Sequence, residues 1–100
     1  MFRLIRVEGD SMSPTLVNGD YILSKKPRSQ KKLRAGFIYV LEHDRLGRLV
    51  KRLNRRDESG LWFAGDNPHS TPSEKIGVQP FDAVTGRALL AITPKGLRRL

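Results

Sequence analysis

A compact, all-β, barrel-like domain is the fold this sequence predicts. Apolar and polar side chains alternate with period two in several short runs, and turn-forming residues separate those runs roughly every eight to twelve positions. Only one segment offers a helix start. The chain has 100 residues, enough for one domain over 1–100 but not for two independent cores, and a chain of this size buries only about two-thirds of its unfolded surface.

Taken in order, Phe2 to Val7 alternates charge with apolar side chains and reads as a strand. Ser13-Pro14 then offers a short helix with proline at its first position. After the Val17-Asn18-Gly19 turn, Asp20 to Ser24 is a second strand, with Tyr21, Ile22 and Leu23 there for packing. Lys25 to Arg34 is polar, basic and holds Pro27, so it reads as a loop. Phe37 to Leu41 and Leu49 to Leu53 flank a polar turn with Asp44 and Gly47, a hairpin signal. Leu61 to Ala64 is a short strand after the Asp57-to-Gly60 turn, and Gly65 to Ser73 is a long loop. Ala83 to Ile92 is the last strand, broken at Gly86 and stopped by Pro94, and the tail from Gly96 to Leu100 is expected to fray. Phe81, Val84, Leu89 and Leu90 read as core, Trp62 and Phe63 as core or rim.

Composition narrows the function. The absence of cysteine excludes disulfides, thiolate metal sites and a cysteine nucleophile. The longest apolar runs, Phe37 to Leu41 and Ala88 to Ile92, fall far short of the ~20 residues a transmembrane helix needs. The N-terminus alternates in polarity and has no signal-peptide apolar run. A cytoplasmic protein without an integral membrane anchor is therefore expected. The net charge of +9 suits phosphates, an acidic partner or simply a solvated surface. Aromatic residues are few and do not interleave with the basic runs, which disfavours a nucleic-acid stacking platform.

Two segments carry candidate chemistry. Ser11 follows a glycine-containing bend, Gly9-Asp10, at the end of a predicted strand. Such a bend either makes an ordinary turn or aims backbone N–H groups at one point, as an oxyanion hole requires. Alternation in Leu49 to Leu53 puts Lys51 on one face with Leu49 and Leu53. Its ammonium then either snorkels to water or is desolvated, and burial favours the neutral amine. A neutral lysine can take the proton from a serine hydroxyl, which is a weak nucleophile without a base.

In order, the chain reads Gly9-Asp10-Ser11-Met12-Ser13-Pro14-Thr15-Leu16, Gly19-Asp20 with an apolar strand, Val50-Lys51-Arg52, then Gly65-Asp66-Asn67-Pro68 and a serine-containing loop. Over about Val7 to Leu90 this resembles the Ser–Lys peptidase superfamily of signal peptidase I and LexA-type repressors. It is most like the small soluble branch that matures nickel-type superoxide dismutase. The resemblance implies Ser11 as nucleophile and Lys51 as general base. It places Met12 and Gly9 at the substrate pocket and the N–H groups of Ser11 and Asp10 in the oxyanion hole. It implies an Arg52–Asp66 ion pair and a Ser70 that orients the lysine. The late loop departs from the family's Ser-x-Asp-Ser-Arg: here it is Ser70-Thr71-Pro72-Ser73-Glu74, with both charged members replaced.

The implied activity is removal of an N-terminal extension from a precursor protein bound as an extended strand, with no metal or other cofactor; in the closest branch the precursor is that of nickel-type superoxide dismutase. Two other readings stand beside it. One is a basic β-barrel nucleic-acid-binding module that uses Lys25 to Arg34 and Arg52 to Arg56. The other is a Ser–His–Asp hydrolase using His43 or His69 with Asp66. A LexA-type self-cleaving switch needs a cleavable segment before the nucleophile, and the ten residues before Ser11 hold no Ala-Gly pair.

Overall fold

The computed structural model describes residues 1–100. It is almost entirely antiparallel β. The strands are β1 (Phe2–Arg6), β2 (Tyr21–Lys25), β3 (Ile38–His43), β4 (Gly47–Asp57), β5 (Gly60–Ala64), β6 (Val84–Thr93) and β7 (Gly96–Arg99). They form one sheet in the order β1-β2-β6-β3-β4-β5, with β7 added to β6.

The central strand explains the packing. The run Phe37 to Leu41 is continuously apolar because β3 is covered on both faces. Ile38 and Val40 point into one core with Ile5, Val7, Met12, Leu16 and Ile22. Tyr39 and Leu41 point into a second with Leu33, Leu53, Leu61, Phe63 and Val84. Val84 and Phe63 are buried, Phe81 packs against the second core, and Leu89 and Leu90 are half-buried.

Bulges coil the sheet. The β2–β6 register skips Leu89 and the β3–β6 register skips Thr85. A further shift lies near Asn54, where β4 meets β5. Each extra residue increases the local right-handed twist.

Several elements differ from the sequence expectation. The last strand runs through Gly86 unbroken. A Cβ there would lie 2.9 Å from Ser24 Oγ, so the glycine permits close approach of β2. The tail does not fray: Pro94-Lys95 makes a turn, and Leu90 to Thr93 pair with Gly96 to Arg99. The segment from Ser11 is a series of turns, not a helix. The long loop gives way to a four-residue helix, α1 (Ser73–Ile76), whose Ile76 is buried. The basic segment 25–34 contains a single 3₁₀ turn over Gln30–Lys32.

His43, between the two hairpin segments read from the sequence, is the last residue of β3. It is buried, its Nδ1 accepts the N–H groups of Arg45 and Leu46, and its Nε2 lies 2.7 Å from the Ile76 carbonyl. Two incoming donors at Nδ1 place the proton on Nε2. His43 therefore pins the β3–β4 hairpin to α1. The nearby Asp44 carboxylate at 3.2 Å faces a nitrogen already used as an acceptor and forms no ion pair with it.

Candidate active site

The site begins with two unpaired strand edges. β1 pairs with β2 only, and β5 covers β4 only from Arg52 onward, so Gly47 to Lys51 have β3 on one side alone. Val7 exchanges backbone bonds with Asp20 and Gly19. Alternation then turns the backbone groups of Arg6 and Glu8 outward. On β4, Leu53 donates to Phe37, and the same alternation turns those of Arg48 and Val50 away from β3. Between the edges lies a cleft of about 250 Å³ lined by Arg6, Val7, Glu8, Ser11, Met12 and Arg48 to Lys51. The coil of the sheet thus brings Ser11 and Lys51, 40 positions apart in the chain, to one cavity.

Lys51 is 4% exposed. Its strand neighbour across the sheet is Tyr39, and Leu53 on the same face is fully buried. Burial holds its ammonium below the ordinary lysine value of 10.5. No hydrogen bond joins Lys51 to Ser11 in this structure, nor to Ser70. Met12 is buried beneath the Ser11 turn, and Gly9 adopts a left-handed φ of 79° that most side chains resist. The N–H groups of Asp10 and Ser11 donate to no group of the chain, so both are available to a bound oxygen.

The late loop, Gly65 to Pro72, is tied to the Ser11 turn. Asn67 N–H donates to the Ser11 carbonyl at 2.9 Å, and the Thr15 hydroxyl donates to Asp66 at 2.5 Å. Arg52 grips Asp66 at two points, 2.8 and 2.7 Å, and also donates to the Gly36 carbonyl. A chain of contacts therefore links the turn after Ser11 to the residue following Lys51. The Arg52 hydrogen bonds, with a lesser one from Thr15, hold the Asp66 carboxyl below the ordinary carboxylate value of 3.8. The Asp66 side chain is 18% exposed, so solvent screens the pair only in part.

Removing this clamp has a readable cost. Asp66→Asn or Arg52→Met is expected to destabilise the fold by about 2 kcal/mol, the range for hydrogen bonds to charged groups. The Asp66 contribution is present above the ordinary carboxylate range and is lost as pH falls through the depressed folded value. Urea unfolding at pH 7 and pH 3 should reveal a larger loss in wild type than in Asp66→Asn, which keeps only the acid sensitivity of other carboxylates such as Asp57.

Ser70 is packed behind Gly65 and does not line the cleft. A Cβ at Gly65 would sit 2.4 Å from the Ser11 carbonyl oxygen and 2.6 Å from Ser70 Oγ. Gly65→Ala must therefore push the loop and the Ser11 turn apart. A loss of about 1–3 kcal/mol, typical of overpacking, is expected in thermal unfolding.

Other candidates are not gathered here. His69 is exposed in the late loop, its backbone N–H bonded to Asn67, and it does not line the cleft with Ser11. No cluster of three or more His, Cys, Asp or Glu could hold a metal ion. The basic run Arg52 to Arg56 is committed within the fold. Arg52 holds Asp66, Arg55 lies 4.5 Å over the Trp62 ring, and Arg56 donates to the carbonyls of Gln30 and Leu33. In the sequence Thr15 stands only as one member of the block from Gly9 to Leu16. Its bond to Asp66 joins positions 51 apart, with no local signal to reveal it. The roles of Arg6, Glu8 and Arg48 as cleft walls follow only from the way the sheet closes.

The family model for peptidase S24-like proteins matches residues 2–88. The chain belongs to the peptidase S24-like family. No curated protein matches it. Membership supports a serine-peptidase type of function for this S24-like chain, and the all-β coil built here agrees with that fold. The matched span includes both cleft edges, the Ser11 turn and the late loop. No helix of the S24-like domain is long and apolar enough to cross a membrane.

Proposed function

We propose that this chain is a serine endopeptidase with a Ser11–Lys51 dyad, and that it removes an N-terminal extension from a precursor protein. The carrying observation is that Ser11 and a buried Lys51 line one cleft between two unpaired strand edges. Desolvation favours the neutral amine, which a lysine needs if it is to act as a base.

The substrate lies in the cleft as an added strand, its backbone paired with the outward groups of β1 and β4. Lys51 accepts the Ser11 hydroxyl proton as Oγ attacks the scissile carbonyl. The N–H groups of Ser11 and Asp10 hold the oxyanion. The Lys51 ammonium passes its proton to the leaving amine as the C–N bond breaks. Water, deprotonated by Lys51, then hydrolyses the acyl-enzyme and regenerates Ser11. Met12 and Gly9 shape the pocket. Arg52 and Asp66 fix the strand of Lys51 against the late loop, and Ser70, packed behind Gly65, acts on the dyad only by holding that loop. No cofactor enters these steps.

By its resemblance to the small soluble branch, the substrate is a nickel-type superoxide dismutase precursor, and the working compartment is the cytoplasm. The test mixes purified wild type, Ser11→Ala and Lys51→Ala with that precursor and maps new N-termini by mass spectrometry. Cleavage by wild type alone supports the proposal. Equal cleavage by all three, or by none, sinks it for this substrate.

A further inference from the structure

A second cleft lies away from the dyad, on the face where the basic segment 25–34 folds over β2 and β6. It measures about 420 Å³ and is lined by Lys25, Lys26, Arg28, Lys32, Arg34 and Arg87, with no carboxylate among its walls. None of these six cations belongs to any ion pair of the chain. The segment that carries five of them is anchored. Leu33 is buried, Arg34 N–H donates to the Tyr39 hydroxyl, and Arg56 holds the carbonyls of Gln30 and Leu33. Like charges fixed side by side repel unless an anion enters. The Arg87 guanidinium lies over the Phe37 ring, 4.0 Å from its centre, and its buried Nε has no partner.

The anion's chemistry can be narrowed. A single-stranded nucleic acid needs free aromatic faces for its bases. Here Phe37 is covered by Arg87 and Tyr39 is fully buried with its hydroxyl engaged. The cleft offers charge without stacking. Its position supplies the rest. Lys25 pairs with Phe2, and its Nζ lies 5.5 Å from that ring. Phe2 is the far end of the β1 edge whose near end borders Ser11. An extended chain laid on that edge covers about 3.3 Å per residue. It therefore reaches the basic cleft about six residues from the scissile bond.

We infer that this cleft is an exosite for an acidic segment of the polypeptide substrate, placed about six or more residues from the cleavage point. The assignment of the segment to the substrate rests on the proposed peptidase function; the anion site does not.

The test measures binding of a fluorescein-labelled ten-residue glutamate peptide by anisotropy at fixed salt. The proteins are wild type, Ser11→Ala, the cleft variant Lys26→Glu/Arg28→Glu/Lys32→Glu, Arg87→Gln, and a control with equal charge change at exposed sites elsewhere, Arg45→Glu/Lys95→Glu/Arg99→Glu. We expect a loss of at least tenfold for the cleft variant, a clear loss for Arg87→Gln, and less than threefold for the control and for Ser11→Ala. Equal losses in the cleft variant and the control would overturn the exosite, as would tighter binding of a ten-nucleotide thymidine strand. With a cleavable precursor bearing an acidic block, the cleft variant should raise KM and leave kcat unchanged. Because Ser11→Ala retains peptide binding, failure of proteolysis and failure of the exosite are read separately.

Discussion

Lys51→Met is expected to abolish cleavage while making the fold more stable at neutral pH. The two effects share one cause. A buried ammonium has lost its water, so the folded state holds its proton less tightly than the unfolded chain does. Between the folded value and the ordinary 10.5, the unfolded state binds more protons, and stability therefore rises with pH. The penalty is full below the folded value and disappears as pH climbs past the ordinary one. Methionine fills similar space without charge, so urea unfolding should show the variant ahead of wild type at pH 7 and level with it above pH 10.5. Activity should fall by about 10³-fold or more, within the range for losing a general base. A variant that is inactive and less stable at every pH would mean that Lys51 holds the fold together as an ordinary packed cation.

Ser11→Ala should cost still more, roughly 10⁴- to 10⁶-fold in kcat, with little change in stability or in precursor binding. Ser11 is half-buried, and its side chain makes no hydrogen bond within the chain. Its backbone carbonyl, which holds Asn67, is unchanged by the substitution. Single-turnover assays against the precursor separate the chemical step from binding. Wild-type activity should rise with pH as Lys51 sheds its proton, with a midpoint below the ordinary lysine value.

The readable part of this molecule was local. Period-two alternation revealed the strands, because each strand has its own periodicity, and it placed Lys51 on one face with Leu49 and Leu53. The order of blocks around Ser11 and Lys51 pointed to the family before any fold was known. Long-range pairings were hidden. Gly96 to Leu100 looked like a tail because nothing in five residues announces that Ala91 and Ile92 await a partner. The burial of His43 has no local signal, because the Ile76 carbonyl that holds it lies 33 positions away. The cleft between β1 and β4 depends on bulges at Thr85 and Leu89, which leave no composition signal. The basic segment was legible as charge but not as a walled cleft, since Arg87 walls it and Arg56 anchors its chain from distant strands.

The central claim is that the fold presents an uncharged amine to the Ser11 hydroxyl. Selective isotope labelling of lysine side chains, with Lys51→Met to assign the Lys51 ε-carbon signal, allows that amine to be titrated by NMR. The account predicts a midpoint clearly below 10.5 that moves when Ser11 is changed to alanine. A midpoint at the ordinary lysine value, unmoved by Ser11→Ala, would contradict it.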